Sequence, residues 1–231
     1  MNDIMEQLTE DGSYTLYSSR FREHYHSIHG AVSESLHIFI QAGLEHWTEL
    51  AAARRNPFVC HPEDKTPADR CRILEVGFGT GLNAWLTAKA LEKSGQHGRY
   101  ESFERYPVAL SDFHAWPVDP LFTALHKAAW NQPVSVNDRM MLFKRQEDFT
   151  VASLDSGFDL VYYDAFSPDT QPEMWQPDLF RKVFEAMAPQ GILTTYCAKG
   201  AVRRILLHCG FIVERLPGPA GKREILRATK P

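Results

Sequence analysis

The sequence predicts an α/β domain built on a mostly parallel sheet covered by helices on both faces. Three observations carry this. From Cys71 onward, apolar runs of strand length alternate with helix-period segments. The first run, residues 72–76, enters a turn with Gly77, Gly79 and Gly81 in G-x-G-x-G spacing, and a helix-period segment starts at Leu82. The chain closes on two strand-like runs, 211–215 and 223–229, joined by Pro217-Gly218-Pro219-Ala220-Gly221. That terminal pair departs from a plain dinucleotide fold. It suits a Rossmann-like, seven-stranded sheet with one antiparallel strand, the class I S-adenosylmethionine-dependent methyltransferase variant.

The elements follow in order. Residues 12–28 carry short polar–aromatic patterns and read as short strands or a turn-rich lead-in. Leu36, Phe39, Ile40 and Leu44 fall on one face and predict a helix over about 33–44, with a second over 45–54. Residues 56–70 hold three prolines and many charges and read as a loop or linker. Residues 1–70 are therefore expected to be an N-terminal extension packed on a core of 71–231. In that core the helix 82–93 turns Leu82, Trp85, Leu86 and Ala90 inward, and the second strand, 99–103, ends at Glu104. The stretch 107–139 is long for a crossover and reads as an insert between strands 2 and 3. It is expected to open with a helix over 107–113 and continue as an aromatic-rich excursion. Strands at 140–144, 158–163 and 191–197 follow, with helices at 179–187 and 199–209.

A length of 231 residues with 44% hydrophobic content suits one large domain. No run of 18 apolar residues is present, so a membrane-spanning helix is not expected. The N-terminus lacks the basic flank and apolar stretch of a secretory signal, and a cytoplasmic location is expected. Cys60, Cys71, Cys197 and Cys209 form no C-x-x-C pair, which argues against zinc or iron–sulfur ligation, and Cys197 and Cys209 read as buried thiols. His24, His26, His29 and His37 cross strand and helix phases, so no metal is expected there.

The net charge of −4 argues against a generic nucleic-acid binder, but the charge is uneven. Residues 1–50 carry a net −6 and residues 196–231 a net +6. The basic third can face a polyanion, or it can be a solvated helix and edge strand.

Glycines without a Cβ let the chain turn sharply and approach a ligand, and the N–H groups of the following helix start face it. The three glycines, with Glu75 in the strand before them and acidic residues at the next strand ends, favour S-adenosylmethionine over a dinucleotide. Glu104 is placed to accept the ribose hydroxyls. Asp148 is placed to accept the adenine amine, with Glu147 competing and a helix-capping role for Asp148 as the alternative. No P-loop lysine follows the glycines, which disfavours phosphoryl transfer.

The fourth strand delivers Asp164-Ala165-Phe166-Ser167-Pro168 to the carboxyl end of the sheet, where ligands of such folds bind. A carboxylate there can orient an amine against the methyl donor and receive its proton. Phe166 and Pro168 would form an apolar wall. Tyr25, His26, Tyr162, Tyr163 and Trp175 are further pocket candidates, with at least one of the paired tyrosines expected in the core.

Several motifs together resemble the MnmD/MnmC tRNA methyltransferases. They are Asp11–Ser18, Tyr25-His26-Ser27 with Gly30-Ala31 and Glu34-Ser35, Glu75–Asn83, Asp164–Pro168, Glu173-Met174-Trp175, Val202-Arg203-Arg204 and Gly221-Lys222-Arg223-Glu224. The resemblance implies methyl transfer onto 5-aminomethyl-(2-thio)uridine at the wobble position 34. It implies cofactor contacts at Gly77, Phe78, Gly79, Gly81 and Asn83, with Glu104 and Asp148 as partners and Asp164 as the acidic residue near the amine. It also implies an RNA-facing side with Lys199, Arg203, Arg204, Lys222 and Arg223. The bifunctional relatives carry a flavin-dependent domain; this chain shows no second glycine fingerprint, so a stand-alone form without FAD, favoured as a monomer, is expected. A methyltransferase for a small-molecule amine, or a cofactor-sensing module, are the competing readings.

Overall fold

The structure, a computed structural model, describes residues 4–54, 70–116 and 119–231. Strands β1 (Ile4–Leu8), β2 (Tyr14–Ser18) and β3 (Glu23–His24) form a small antiparallel sheet in that order. Helix α1 (Ala31–Ser35) continues through a wider π winding over Leu36–Glu45 into α2 (His46–Arg54). Then come β4 (Arg70–Val76), α3 (Leu82–Ser94), β5 (His97–Phe103), α4 (Pro120–Lys127), β6 (Pro133–Ser135) and β7 (Met140–Arg145). The chain ends with β8 (Phe158–Tyr163), α5 (Pro177–Ala186), β9 (Met187–Thr195), α6 (Gly200–His208), β10 (Ile212–Pro217) and β11 (Glu224–Thr229).

The main sheet runs β10-β11-β9-β8-β4-β5-β7-β6. β7, β5, β4, β8 and β9 are parallel neighbours, while β11 pairs antiparallel with both β9 and β10. These are the seven expected strands with β11 as the reversed one. The eighth, β6, is a three-residue antiparallel edge on β7, too short and too polar to stand out in the sequence.

Successive strand residues point to opposite faces, so a sheet covered on both sides needs unbroken apolar runs. Ile73, Leu160, Tyr162 and Ile192 pack with Phe39, Leu82 and Leu91 on one face. Their neighbours Leu74, Val161, Tyr163 and Leu193 pack with Phe180, Val183 and Leu206 on the other. Tyr162 and Tyr163 are thus both core residues, fully buried on opposite faces, and neither lines the cavity at the carboxyl ends of the strands. In the N-terminal helix Phe39, Ile40 and Leu44 are buried as the periodicity requires, with Ile38 beside them.

Two readings of the insert are corrected. The helix expected over 107–113 is a single 3-10 turn, Leu110–Asp112, after which Phe113 is extended. The regular helix is α4 instead. Asp119 caps it by accepting from the N–H groups of Leu121 (2.8 Å) and Phe122 (3.4 Å), and Pro120 occupies its first turn. Cys71 and Cys197 are buried, whereas Cys209 is only partly so; Cys60 and most of the linker 56–70 lie outside the described residues.

Candidate active site

A cavity of about 640 Å³ opens at the carboxyl ends of the parallel strands. β4 brings Gly77, Phe78 and Gly79 to it, β5 brings Glu104, β7 leads to Asp148 and β8 to Asp164. The N-terminal sheet closes the opposite side with Phe21, Glu23, Tyr25 and His26.

The glycine turn is built by close approach. Gly77, Gly79 and Gly81 have φ of 93°, 51° and 73°, backbone that favours glycine. Gly77 N–H donates to Phe103 O (3.0 Å), and Asp164 N–H donates to Val76 O (3.0 Å). A Cβ on Gly77 would stand 2.7 Å from the Asp164 carbonyl oxygen, so this glycine is what lets the β4 and β8 ends touch. At Gly79 the nearest atoms to a Cβ are those of the Tyr25 ring, at 3.0 Å. Two neutral histidines hold Thr80 between them. His26 Nε2 lies 2.6 Å from its hydroxyl, and His126 Nε2–H donates to its carbonyl oxygen (3.0 Å). Burial pushes both imidazoles down to about 4.

Asp164 is oriented from α3. Asn83 Nδ2 donates to its Oδ2 at 2.8 Å. Burial raises the Asp164 carboxyl to about 7; Glu34 pushes the same way, while Asn83 and Lys222 oppose. Behind it Glu75 is wholly buried, accepts a hydrogen bond from Ser102 (2.6 Å) and is raised by burial to about 8. Glu75 does not line the cavity. Gly81 and Asn83 also lie outside the lining: Gly81 begins α3, and Asn83 reaches the cavity through Asp164.

Glu104 accepts from Gly79 N–H (3.0 Å) and Tyr106 N–H (2.7 Å), and burial raises its carboxyl. Asp148 sits against Arg105 at 2.6 Å. Against the desolvation of its site, Thr150 and the Arg105 guanidinium hold it below the usual carboxylate range. It also accepts from the N–H and hydroxyl of Thr150 (2.9 and 2.7 Å), so it closes a turn and not the helix of the capping alternative, and it lines the cavity. Glu147 lines the cavity too, paired with Arg145 at 2.8 Å.

The segment after Asp164 is fixed at each residue. Tyr196 OH donates to Ala165 O (2.9 Å), Trp175 Nε1–H donates to Phe166 O (2.8 Å), and Ser167 OH donates to Glu23 (2.9 Å). Trp175 is buried and acts through this bond rather than as pocket lining. The Phe166 ring stacks on Phe21 (4.5 Å) and meets Tyr25 edge-on (4.9 Å), giving an aromatic wall next to the carboxylate. Phe21, Glu23 and Tyr196 belong to the site although no role attaches to them in the sequence. The polar–aromatic patterns within residues 12–28 are the signal that the N-terminal segment forms short strands able to bring Phe21 and Glu23 here.

Of the basic residues, Lys222 lines the cavity. Lys199 pairs with Asp169, Arg203 and Arg204 lie in the first turn of α6, and Arg223 is exposed in the β10–β11 turn. β9 and β10 run the same way, so these segments all lie at the cavity end of the sheet.

A family profile described as S-adenosyl-L-methionine-dependent methyltransferase matches residues 129–231. The tRNA 5-methylaminomethyl-2-thiouridine biosynthesis bifunctional protein MnmC of Pseudomonas paraeruginosa is 30% identical over 99% of this chain and 36% of its own length. Its counterpart in Stutzerimonas stutzeri is 33% identical over 69% of the chain and 27% of its own length. The crystal structure of MNMC2 from Aquifex aeolicus superposes with a TM-score of 0.77 at 26% identity, covering 99% of this chain and 71% of that one. The chain is homologous to the MnmC proteins. It spans about a third of the length of the MnmC proteins it matches. A probable spermidine synthase from Corynebacterium glutamicum (TM-score 0.53, 14% identity) shares the fold alone. The architecture is that of class I S-adenosylmethionine-dependent methyltransferases, with additional N-terminal strands and helices.

The residues present fit S-adenosylmethionine. Gly77 and Gly79 leave bare backbone at the cavity wall, Glu104 offers a half-buried carboxylate at the end of β5, and the volume exceeds what one nucleoside needs. Among the described residues, no group of three His, Cys, Asp or Glu is placed to hold a metal, and no helix is long and apolar enough to cross a membrane.

Proposed function

We propose that this chain transfers a methyl group from S-adenosylmethionine to the amine of 5-aminomethyl-(2-thio)uridine at tRNA position 34, giving 5-methylaminomethyl-(2-thio)uridine. The observation that carries the reading is a match along almost the whole chain to proteins named for biosynthesis of that nucleoside. The chemistry of the cavity agrees with it.

When bound, S-adenosylmethionine supplies a methyl group on a positively charged sulfur. Gly77, Phe78 and Gly79 would border its methionine part, Glu104 its ribose and Asp148 its adenine. Asp164 then serves the acceptor amine. One carboxylate oxygen is held by Asn83, and the carboxylate is free to accept from the amine and take a proton as nitrogen gains positive charge. A carboxyl titrating at about 7 exchanges that proton readily at neutral pH. Pinning of Ala165, Phe166 and Ser167 fixes its position before substrate arrives, which lowers the entropic cost of alignment. The aromatic wall of Phe166, Phe21 and Tyr25 offers stacking surface to an extruded base.

Lys199, Arg203, Arg204 and Arg223 supply the cationic edge for the anticodon loop, positioning phosphates rather than reading sequence, while Lys222 faces the cavity itself. Arg203→Ala with Arg204→Ala is expected to weaken tRNA binding and flatten the dependence of log affinity on log salt by about 1 to 2. Filter binding across a salt series checks this, and an unchanged slope would place the phosphate contacts elsewhere. The function itself is tested by incubating the protein with labelled S-adenosylmethionine and tRNA that lacks only this last methyl. Label in the RNA is expected; label in a free small amine and none in RNA would contradict the reading.

A further inference from the structure

Among the charged side chains that line the cavity, Glu34 and Lys222 are assigned to neither the methyl donor nor the amine. Glu34 comes from α1 and Lys222 from the turn between β10 and β11, and both line the cavity with Asp164. They meet at 3.1 Å, with side chains 10% and 29% exposed. The contact is one of charge, not an aligned hydrogen bond. Glu34 Oε1 is buried without a donor, and among the described residues Lys222 Nζ makes no hydrogen bond, lying instead 4.9 Å from the Tyr196 ring centre.

The rest of the arrangement is held firmly. Glu34 Oε2 accepts from Ser27 N–H at 2.8 Å, which aims Oε1. The Lys222 turn is seated so closely on the N-terminal segment that a Cβ on Gly221 would stand 2.2 Å from the His29 ring. His37 Nε2–H also donates to Pro217 O at 2.8 Å. Two elements far apart in sequence are thus fastened together so that an ion pair with no aligned hydrogen bond of its own lies in the wall of the cavity.

A uracil ring presents the complement of that pair: an N3–H donor flanked by carbonyl or thiocarbonyl acceptors. A cytosine presents an acceptor at N3 and would leave Glu34 facing a lone pair. We propose that Glu34 and Lys222 read the pairing edge of the uracil base, Glu34 Oε1 accepting from N3–H and Lys222 Nζ donating to the neighbouring exocyclic oxygen or sulfur. This rests on the tRNA methyltransferase reading and assigns to it the residues that recognise the base, beside Asp164, which serves the amine. A site built around a substrate N–H leaves a buried carboxylate oxygen unpaired when the N–H is missing, and so rejects the analogue strongly.

The test uses anticodon stem-loop RNA carrying 5-aminomethyluridine at position 34, and the same RNA methylated at N3. The wild-type protein is expected to prefer the first in kcat/KM by about 10- to 100-fold, mostly through KM. In Glu34→Gln the amide oxygen can keep the Ser27 bond while its NH2 replaces Oε1, setting a donor against a donor. The preference is expected to fall to within about threefold, with S-adenosylmethionine affinity unchanged. Lys222→Met is expected to slow both RNAs by a similar factor, since both keep the exocyclic acceptors. Wild-type indifference to N3 methylation overturns the assignment without any variant. An undiminished preference in Glu34→Gln does the same, as does equal loss on both RNAs. Absence of wild-type transfer to either RNA is a different result, and overturns the functional reading itself.

Discussion

Asp164→Asn is expected to lower kcat by about 10²- to 10³-fold with little change in S-adenosylmethionine affinity. Asparagine keeps the size of the side chain and a partner for Asn83, so Asp164 N–H to Val76 O and the pinned segment behind it remain. What is lost is the acceptor that takes the amine's proton. The pH profile separates this from a structural effect. With the Asp164 carboxyl raised to about 7, it is protonated below that pH and ionised above it. Activity of the wild-type protein is therefore expected to fall as pH drops through about 7, and Asp164→Asn is expected to lose that limb. Single-turnover rates across pH, with calorimetric cofactor titration at each variant, check both halves. A large loss of cofactor affinity would show that Asp164 serves the donor rather than the acceptor.

Gly77→Ala is expected to be the most damaging small substitution in the turn. The φ of 93° costs an L-residue about 1–3 kcal/mol, and the methyl group would lie 2.7 Å from a backbone oxygen that cannot swing aside. Relief requires separating the β4 and β8 ends, which moves the glycine turn and Asp164 together. A destabilisation of about 3 kcal/mol or more is expected, with at least a 10²-fold loss of cofactor affinity. Gly95→Ala is the control. Its φ is 72°, but nothing lies within 4 Å of the added Cβ, so it should cost about 1–2 kcal/mol and leave cofactor binding intact. Equal effects of the two substitutions on cofactor affinity would contradict the close-approach argument.

What could be read from the sequence and what could not divides along physical lines. The buried parallel strands were legible because each is an unbroken apolar run; β8, at Phe158–Tyr163, matches its predicted bounds. Gly77, Glu104, Asp148 and Asp164 were legible because a parallel sheet presents the residues at its carboxyl strand ends to one cavity. Glu75 belongs to the same motif but points into the protein. Strand alternation places it on a face, and only packing shows that this face is sealed. α4 was passed over although Asp119-Pro120 is a capping signal and Phe122 and Leu125 share a face, because the aromatic density around it obscured the period. The contribution of Phe21 and Glu23 was not legible, and Glu34 stood in a family motif with no role attached to it. Their contribution depends on a small separate sheet and a helix folding back across the cavity, contacts more than 100 residues apart in the case of Glu23 and Ser167.

The central claim is that the cavity joins a methyl donor to the aminomethyl nitrogen of a tRNA wobble uridine. Mass analysis of the nucleosides released from tRNA after incubation with protein and S-adenosylmethionine tests it most directly. 5-aminomethyl-(2-thio)uridine at position 34 is expected to be converted to the nucleoside one methyl group heavier, with the methyl on the side-chain nitrogen, and Asp164→Asn is expected to leave the starting nucleoside in place. An unchanged nucleoside 34 with the wild-type protein and saturating cofactor, or a methyl group found on another nucleoside, would contradict it.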